Sequence, residues 1–303
     1  MRFLSDYALV EFPGLGISFD VYENFLEIPF GNDTLTIKFY GVIIAFGFLL
    51  AALFGGRKAY VWKMSLDSMV DVLIYGIIGA IIGARLYYVI FQWDYYKNDL
   101  LSIFKIWEGG LAIYGGIIGG LIAAYFVCKK TKLPFLKLLD LVGMSLLIGQ
   151  GIGRWGNFTN QEAFGVNTTM PWGMTSDKIV DYINSHQAEF AEYGIEMDPN
   201  LPVHPTFLYE SVWCISGFVI LYIVCQKFHK FDGQLILGYG IIYGLERTVV
   251  EGLRIDSLYI ANTNLRVSQL VSLALVLVCT AITIYKFVKL KKTKKTAEVQ
   301  ENV

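Results

Sequence analysis

The 303-residue chain is 55% hydrophobic and 15% aromatic but only 17% charged, with a mean hydropathy of +0.50. Soluble domains carry about a quarter charged residues, so this composition excludes an ordinary soluble domain and points to an integral membrane protein. The net charge of −1 conceals basic clusters lying between apolar runs and in the C-terminal "KLKKTKK", a distribution that argues against nucleic acid as a partner.

Residues 1–39 contain Asp6, Glu11, Asp20, Glu23 and Glu27 and lack a basic stretch followed by an apolar core. No cleavable signal peptide is expected there, and the first span serves as the insertion signal. A helix needs about 20 mostly apolar residues to cross a bilayer. Seven stretches meet or approach this: about 39–56, 69–91, 109–128, 135–153, 206–226, 234–252 and 267–288. The expected fold is therefore an all-α integral membrane protein of about seven transmembrane helices with a small extracytoplasmic head region. A single polytopic domain would cover 1–303, with a loop at 154–205 inserted between spans four and five.

Basic residues set the orientation. Arg57, Lys58 and Lys63 follow the first span, and Lys129, Lys130, Lys132 and Lys137 the third. Lys227 and Lys230 follow the fifth and five lysines the seventh, so all four clusters share one face if all seven spans are real. That face is cytoplasmic, which puts the N-terminus and the 154–205 loop outside and the C-terminus inside. Within the loop, Ser176 to Gly194 reads as an amphipathic helix with a Ser176 cap and a Gly194 stop. Its Ile179, Ile183 and Phe190 are expected to face the membrane domain or the bilayer surface. The chain has no evident internal repeat, but Gly-Gly pairs at 55, 109, 115 and 119 suggest close helix approach or broken helices.

The fourth and sixth stretches end in charges, and these carry the chemical interest. Arg154, Glu162, Glu246, Arg247, Glu251 and Arg254 gather near their outer ends, while Arg85 lies deep in the second. Tyr40, Tyr114, Asn157, Asn160 and Tyr243 lie near the same face or within the spans. Charged groups within spans are costly and pair with one another or face cavities. In "YGLERTVVEGLR", Arg247, Glu251 and Arg254 share one helix face. Guanidinium groups match phosphate oxygens bidentately and keep their charge when desolvated, so a phospholipid headgroup in the outer leaflet is the natural ligand. The carboxylates would orient the arginines and leave part of their charge for the ligand.

Other chemistries lack their signatures: there is no G-x-S-x-G elbow, no phosphate loop and no H-E-x-x-H. His186, His204 and His229 are scattered, and Cys128, Cys214, Cys225 and Cys279 read as small apolar fillers, so no metal and no cofactor is expected. His204 in "HPTFLYE" is either a site residue or a structural hydrogen-bond partner.

"GRWGNFTNQEAFG", Gly153 to Gly165, resembles the signature of prolipoprotein diacylglyceryl transferases, G-R-x-G-N-F-x-N-x-E-x-x-G, at every fixed position. The resemblance extends to "KFYGV", "GARLYYV", "WEGGLAIYGG", "HPTFLYE" and "YGLERTVVEGLR" in the expected order. It implies transfer of a diacylglyceryl group from phosphatidylglycerol to the lipobox cysteine of a prolipoprotein signal peptide, forming a thioether and releasing glycerol phosphate. It also implies a bacterial cytoplasmic-membrane location, membrane lipids as partners and an active site toward the outer leaflet. By the same resemblance Arg154 contacts the phosphate. Asn157, Asn160 and Glu162 shape the headgroup pocket, and Arg247, Glu251 and Arg254 form its opposing wall. Tyr40, Tyr243 and His204 are carried over as substrate-binding residues. Many members have a histidine where this chain has Tyr114; either Tyr114 acts as the base or it only hydrogen-bonds and the base lies elsewhere. From another class, a small transporter or lipid flippase also fits Gly-interrupted spans with buried Arg and Glu. The gathering of polar residues near one leaflet favours the transferase.

Overall fold

The protein is described here from a computed structural model covering residues 2–31, 33–256 and 265–301. It divides into two compact units, Met1–Ala52 with Gly143–Val303, and Leu53–Val142. Among the described residues, helices of membrane-crossing length and apolarity are α1 (Phe39–Val61), α2 (Leu66–Phe91), α4 (Ile113–Thr131), α5 (Phe135–Asn160), α8 (Thr206–Lys227) and α10 (Val267–Glu301). The sixth stretch, 234–252, is helical as well, as α9 (Gln234–Glu251), but its 18 residues include Glu246, Arg247 and Glu251. Exposed apolar side chains line the spans, among them Leu53 (60%), Ile90 (68%) and Leu277 (63%). In water such surfaces would be an aggregation hazard; lipid is their natural solvent.

The expectation of an all-α chain needs correction. The first unit opens with an antiparallel sheet of β1 (Arg2–Phe12), β2 (Ile17–Phe30) and β3 (Asp33–Lys38), in that order. A tight turn at Pro13–Leu15, closed by Gly16 in the left-handed region at φ +64°, reverses the chain between β1 and β2. Val10 faces Phe19 and Phe12 faces Ile17 across the pair. Asp6, Glu11, Asp20, Glu23 and Glu27 lie on β1 and β2, while Val10, Phe12 and Val21 turn into a core.

That core also explains the loop after α5. Ile179, Ile183 and Phe190 pack with Val10, Phe12, Val21, Phe164, Met174 and Val203. They therefore face this head core and the strands instead of the bilayer surface. The expected amphipathic helix is two short ones, α6 (Asp177–Ser185) and α7 (Gln187–Glu192), broken at His186. Ser176 caps α6 by accepting from the Ile179 N–H, and Gly194 ends the segment at φ +67°.

The second unit is built on α2 and α4, which approach through glycine. A Cβ on Gly83 would meet the Gly115 carbonyl at 2.4 Å, and one on Gly119 the Gly79 carbonyl at 2.2 Å. These two four-residue glycine spacings permit backbone contact that any side chain would block. Arg85, 6% exposed, is saturated by backbone. Its Nε donates to Ile103 O (2.7 Å), Nη1 to Gly109 O (2.7 Å) and Gly110 O (3.0 Å), and Nη2 to Ser102 O (2.7 Å) and Lys105 O (3.3 Å). The Tyr96 ring lies 5.2 Å from the guanidinium carbon; Tyr96 belongs to the single turn α3 (Trp93–Tyr96). Arg85 thus pins the connection between α2 and α4. At the other end of this unit, Lys58 and Lys137 both approach the Trp62 ring, at 5.4 and 5.7 Å, so basic ends of α1 and α5 meet.

Candidate active site

The first unit brings most of the predicted polar residues together. Glycines set the approach of the helices that carry them. A Cβ on Gly47 would lie 3.3 Å from the Gly149 carbonyl, and one on Gly151 would lie 3.0 Å from Ile215, joining α5 to α1 and α8. α9 meets α8 where a Cβ on Gly217 would strike Ile242 at 2.6 Å, and meets α10 where one on Gly244 would strike Val276 at 2.7 Å. Trp155 of α5 donates from its indole to Ser211 Oγ of α8 (3.1 Å), and its ring and that of Phe158 pack on Phe207.

This scaffold converges three arginines on one carboxylate that sequence reasoning missed. Glu210, in the second turn of α8, has a side chain only 1% exposed. It receives Arg154 Nε from α5 at 2.9 Å and Arg247 Nη1 from α9 at 3.3 Å, with Arg254 Nη1 at 3.9 Å. Arg247 Nη2 also meets Glu251, one turn on, at 2.6 Å. Arg254, just past α9, is clamped by Asp256, with Nε to Oδ1 at 2.8 Å and Nη2 to Oδ2 at 2.6 Å. Burial disfavours charge on Arg254, but the Asp256 hydrogen bonds and charge outweigh it and hold the guanidinium above its usual range. Asp256 is held below the usual carboxylate range, the Arg254 pair overriding the opposing effect of burial. Glu210 sits within "HPTFLYE", yet one carboxylate at the start of an apolar run carries no sequence signal of its partners.

The signature stretch folds around these charges. After α5 the chain turns through Gln161 and Ala163, both with positive φ (+53° and +58°). Ser176 donates to Gln161 Oε1 and Thr206 to the Ala163 carbonyl, bonds that hold this sparsely populated backbone in place. Gly165 forms an antiparallel bridge with Arg254 and donates to the His204 carbonyl at 3.0 Å. A Cβ there would lie 2.9 Å from His204 Cβ and 3.1 Å from Leu253 O, so only glycine fits. Gly156 lies beneath the Tyr40 ring, 2.8 Å from a built Cβ.

Beside the cluster lies a cavity of about 520 Å³ lined by Asn157, Asn160, Glu162, Arg254 and Asp256, with Glu23, Lys38, Lys178 and Tyr182 completing its wall. Asn157 and Asn160 donate to the two oxygens of Glu162 at 2.9 and 3.3 Å. Glu23 accepts from Lys38 (2.7 Å) and Lys178 (2.9 Å). These bonds hold its carboxyl below, and the Lys38 amine above, the ordinary values. Neither lysine nor Glu23 is a candidate site residue from the sequence, because their meeting depends on the strands.

Tyr243 stacks on Tyr239 at 5.7 Å, and Tyr239 accepts from Gln150 at 3.0 Å. His204 does not line the cavity: its Nδ1 pairs with the Tyr209 hydroxyl at 3.0 Å, and burial pushes its pKa down. That is the structural alternative noted for it. Tyr114 lies on α4 in the other unit, 42% exposed.

Residues 28–285 match the family described as prolipoprotein diacylglyceryl transferase. Among similar chains is the phosphatidylglycerol–prolipoprotein diacylglyceryl transferase of Finegoldia magna, 43% identical over 83% of this chain and 92% of its own. The proteins of the same name from Listeria monocytogenes and Staphylococcus aureus are 44% identical (85% of this chain, 88% of theirs) and 38% identical (91% and 93%).

Proposed function

The chain belongs to the prolipoprotein diacylglyceryl transferase family, and from that premise we propose how its residues carry the reaction. The activity is transfer of the diacylglyceryl group of phosphatidylglycerol to a prolipoprotein, a step of lipoprotein maturation. The acceptor is the lipobox cysteine thiol, the product a thioether, and the leaving group glycerol phosphate. The four cysteines of this chain take no part in the transfer; Cys128, Cys214 and Cys279 are buried.

One observation carries the site assignment: guanidiniums from α5, α9 and the segment after α9 share the buried Glu210. Three positive groups held by a carboxylate they share form a preorganised receptor for phosphate, aimed at the charge that grows on the departing oxygens. A thiol of ordinary pKa near 8.5 costs only about 2 kcal/mol to ionise at pH 7, so leaving-group stabilisation and alignment carry more of the rate. Arg154 meets Glu210 through Nε, which leaves its terminal NH₂ pair to fork onto the phosphate. Arg247 and Arg254, with Glu251, form the opposing wall. Asn157, Asn160 and Glu162 receive the glycerol headgroup in the adjoining cavity, and Tyr40 and Tyr243 border the path of the lipid. On this reading Tyr114 is not the base.

For topology we adopt seven spans, α9 included, in a bacterial cytoplasmic membrane, with the N-terminus and the 154–205 loop outside and the C-terminus inside. The meeting of Lys58 and Lys137 at Trp62 supports gathering the basic ends on one face. The flippase reading is weakened, because Arg85, the arginine buried in α2, is saturated by backbone carbonyls and offers little to a passing headgroup. Purified protein incubated with labelled phosphatidylglycerol and a lipobox peptide yields thioether-linked lipopeptide on this reading. Folded protein that makes none overturns it.

A further inference from the structure

The reaction releases a proton from the acceptor thiol, and none of the residues assigned above takes it. Glu246 of α9 is a buried carboxyl, 2% exposed, with no role in the phosphate receptor. Its Oε1 is buried without a hydrogen-bond partner among the described residues, and its side chain faces that of Glu210. A buried carboxylate oxygen left unpaired inside an apolar helix bundle is expensive, and such groups mark functional sites. Two facing carboxylates without a proton repel; with one proton between them the repulsion becomes a hydrogen bond.

The surroundings favour a group that gains and loses a proton. From α8 it faces Glu210 and Cys214, from α5 Arg154, and on its own helix Tyr239, Tyr243 and Arg247. α10 meets α9 at Gly240 and Gly244. Gln150 Oε1 is also buried without a partner, and the Gln150 amide is bonded to Tyr239. Glu246 thus belongs to a line of polar side chains (Gln150, Tyr239, Tyr243, Glu246, Glu210) that reaches the arginines.

We propose that the Glu246 carboxylate, paired with Glu210, accepts the proton of the substrate thiol. This rests on the transferase reading. The S–H proton passes to the Glu246–Glu210 pair as sulfur attacks the glycerol carbon. The new S–C bond forms as the C–O bond to phosphate breaks, with the electron pair leaving on oxygen toward Arg154 and Arg247. The proton is then returned to the departing phosphate, which leaves as the monoanion and restores the pair.

The test measures kcat and kcat/KM from pH 6 to 9 with phosphatidylglycerol and a lipobox peptide, for the wild type, Glu246→Gln and Glu246→Asp. A general base contributes about 10²–10⁴-fold, so Glu246→Gln loses at least about a hundredfold near pH 7. Its residual rate rises about tenfold per pH unit toward the thiol pKa near 8.5, because only preformed thiolate reacts. Glu246→Asp, which keeps the carboxyl, recovers part of the rate and the flatter profile. Phosphatidylglycerol-dependent thermal stabilisation, retained in both variants, establishes that they fold and bind donor. A Glu246→Gln rate within threefold of wild type overturns the proposal, as does a large loss with an unchanged pH profile. If these occur in an active wild type, the transferase reading stands; a wild type that makes no thioether removes both.

Discussion

Arg85 and Arg154 are both set within long apolar helices, and they differ in what holds them. The Arg85 guanidinium is spent on five backbone carbonyls and the Tyr96 ring. Arg154 meets a carboxylate through Nε, and that carboxylate is already shared with Arg247 and Arg254. Carbonyls offer partial charge and a fixed cage, which suits a pin for a loop. A shared carboxylate neutralises only part of three positive charges, which suits a receptor for an anion that arrives and departs. The partners of an intramembrane arginine, more than its depth, separate structure from function.

The comparison breaks most visibly in activity. Arg154→Ala is expected to lower kcat by about 10²–10³-fold, the cost of losing one donor to developing charge. Arg154→Lys recovers little, since an ammonium does not reproduce the two-pronged contact. Thioether formation with labelled donor measures both, and an Arg154→Ala rate near wild type would refute the phosphate role. Arg85→Ala should act on stability. Orphaned buried carbonyls cost about 1–3 kcal/mol each before relaxation, so a loss of about 3 kcal/mol is expected in detergent denaturation. Activity per folded molecule should fall less than tenfold; a hundredfold fall would place Arg85 in the reaction.

Next in size is the glycine that ties the receptor's last arginine in place. Gly165 bridges Arg254, and an added methyl would crowd His204 and Leu253 O at 2.9 and 3.1 Å. Gly165→Ala should cost about 1–3 kcal/mol from overpacking and weaken donor binding by shifting Arg254. A raised KM at little-changed kcat would sharpen the distinction between holding the receptor and acting in it.

The apolar runs made the spans legible, because membrane-length hydrophobicity is written locally. The motif made Arg154, Asn157, Asn160, Glu162, Arg247, Glu251 and Arg254 legible, and the structure gathers all of them in one unit. Glu210 was not legible: its importance lies in three partners from distant segments. The sheet was missed because "RFLSDYALVEF" lacks clean alternation, its inward Val10 and Phe12 standing beside exposed Tyr7 and Leu9. With the sheet went Glu23 and Lys38, and with them the strands' share of the cavity wall.

His204 supplies the smallest effect and the finest distinction, since sequence placed it beside the receptor and the structure ties it to Tyr209. Burial holds its pKa below the usual value. Below the unfolded pKa of about 6.5 the unfolded chain takes up a proton that the folded chain resists. By linkage, stability therefore falls as pH drops from about 6.5 toward the depressed folded pKa and is fully present above that window. His204→Gln removes this term, so its melting temperature should depend less on pH between 7 and 5 than that of the wild type. A structural histidine predicts this flattened slope with little change in kcat at pH 7.5. A histidine that binds substrate predicts lost activity at pH 7.5 instead.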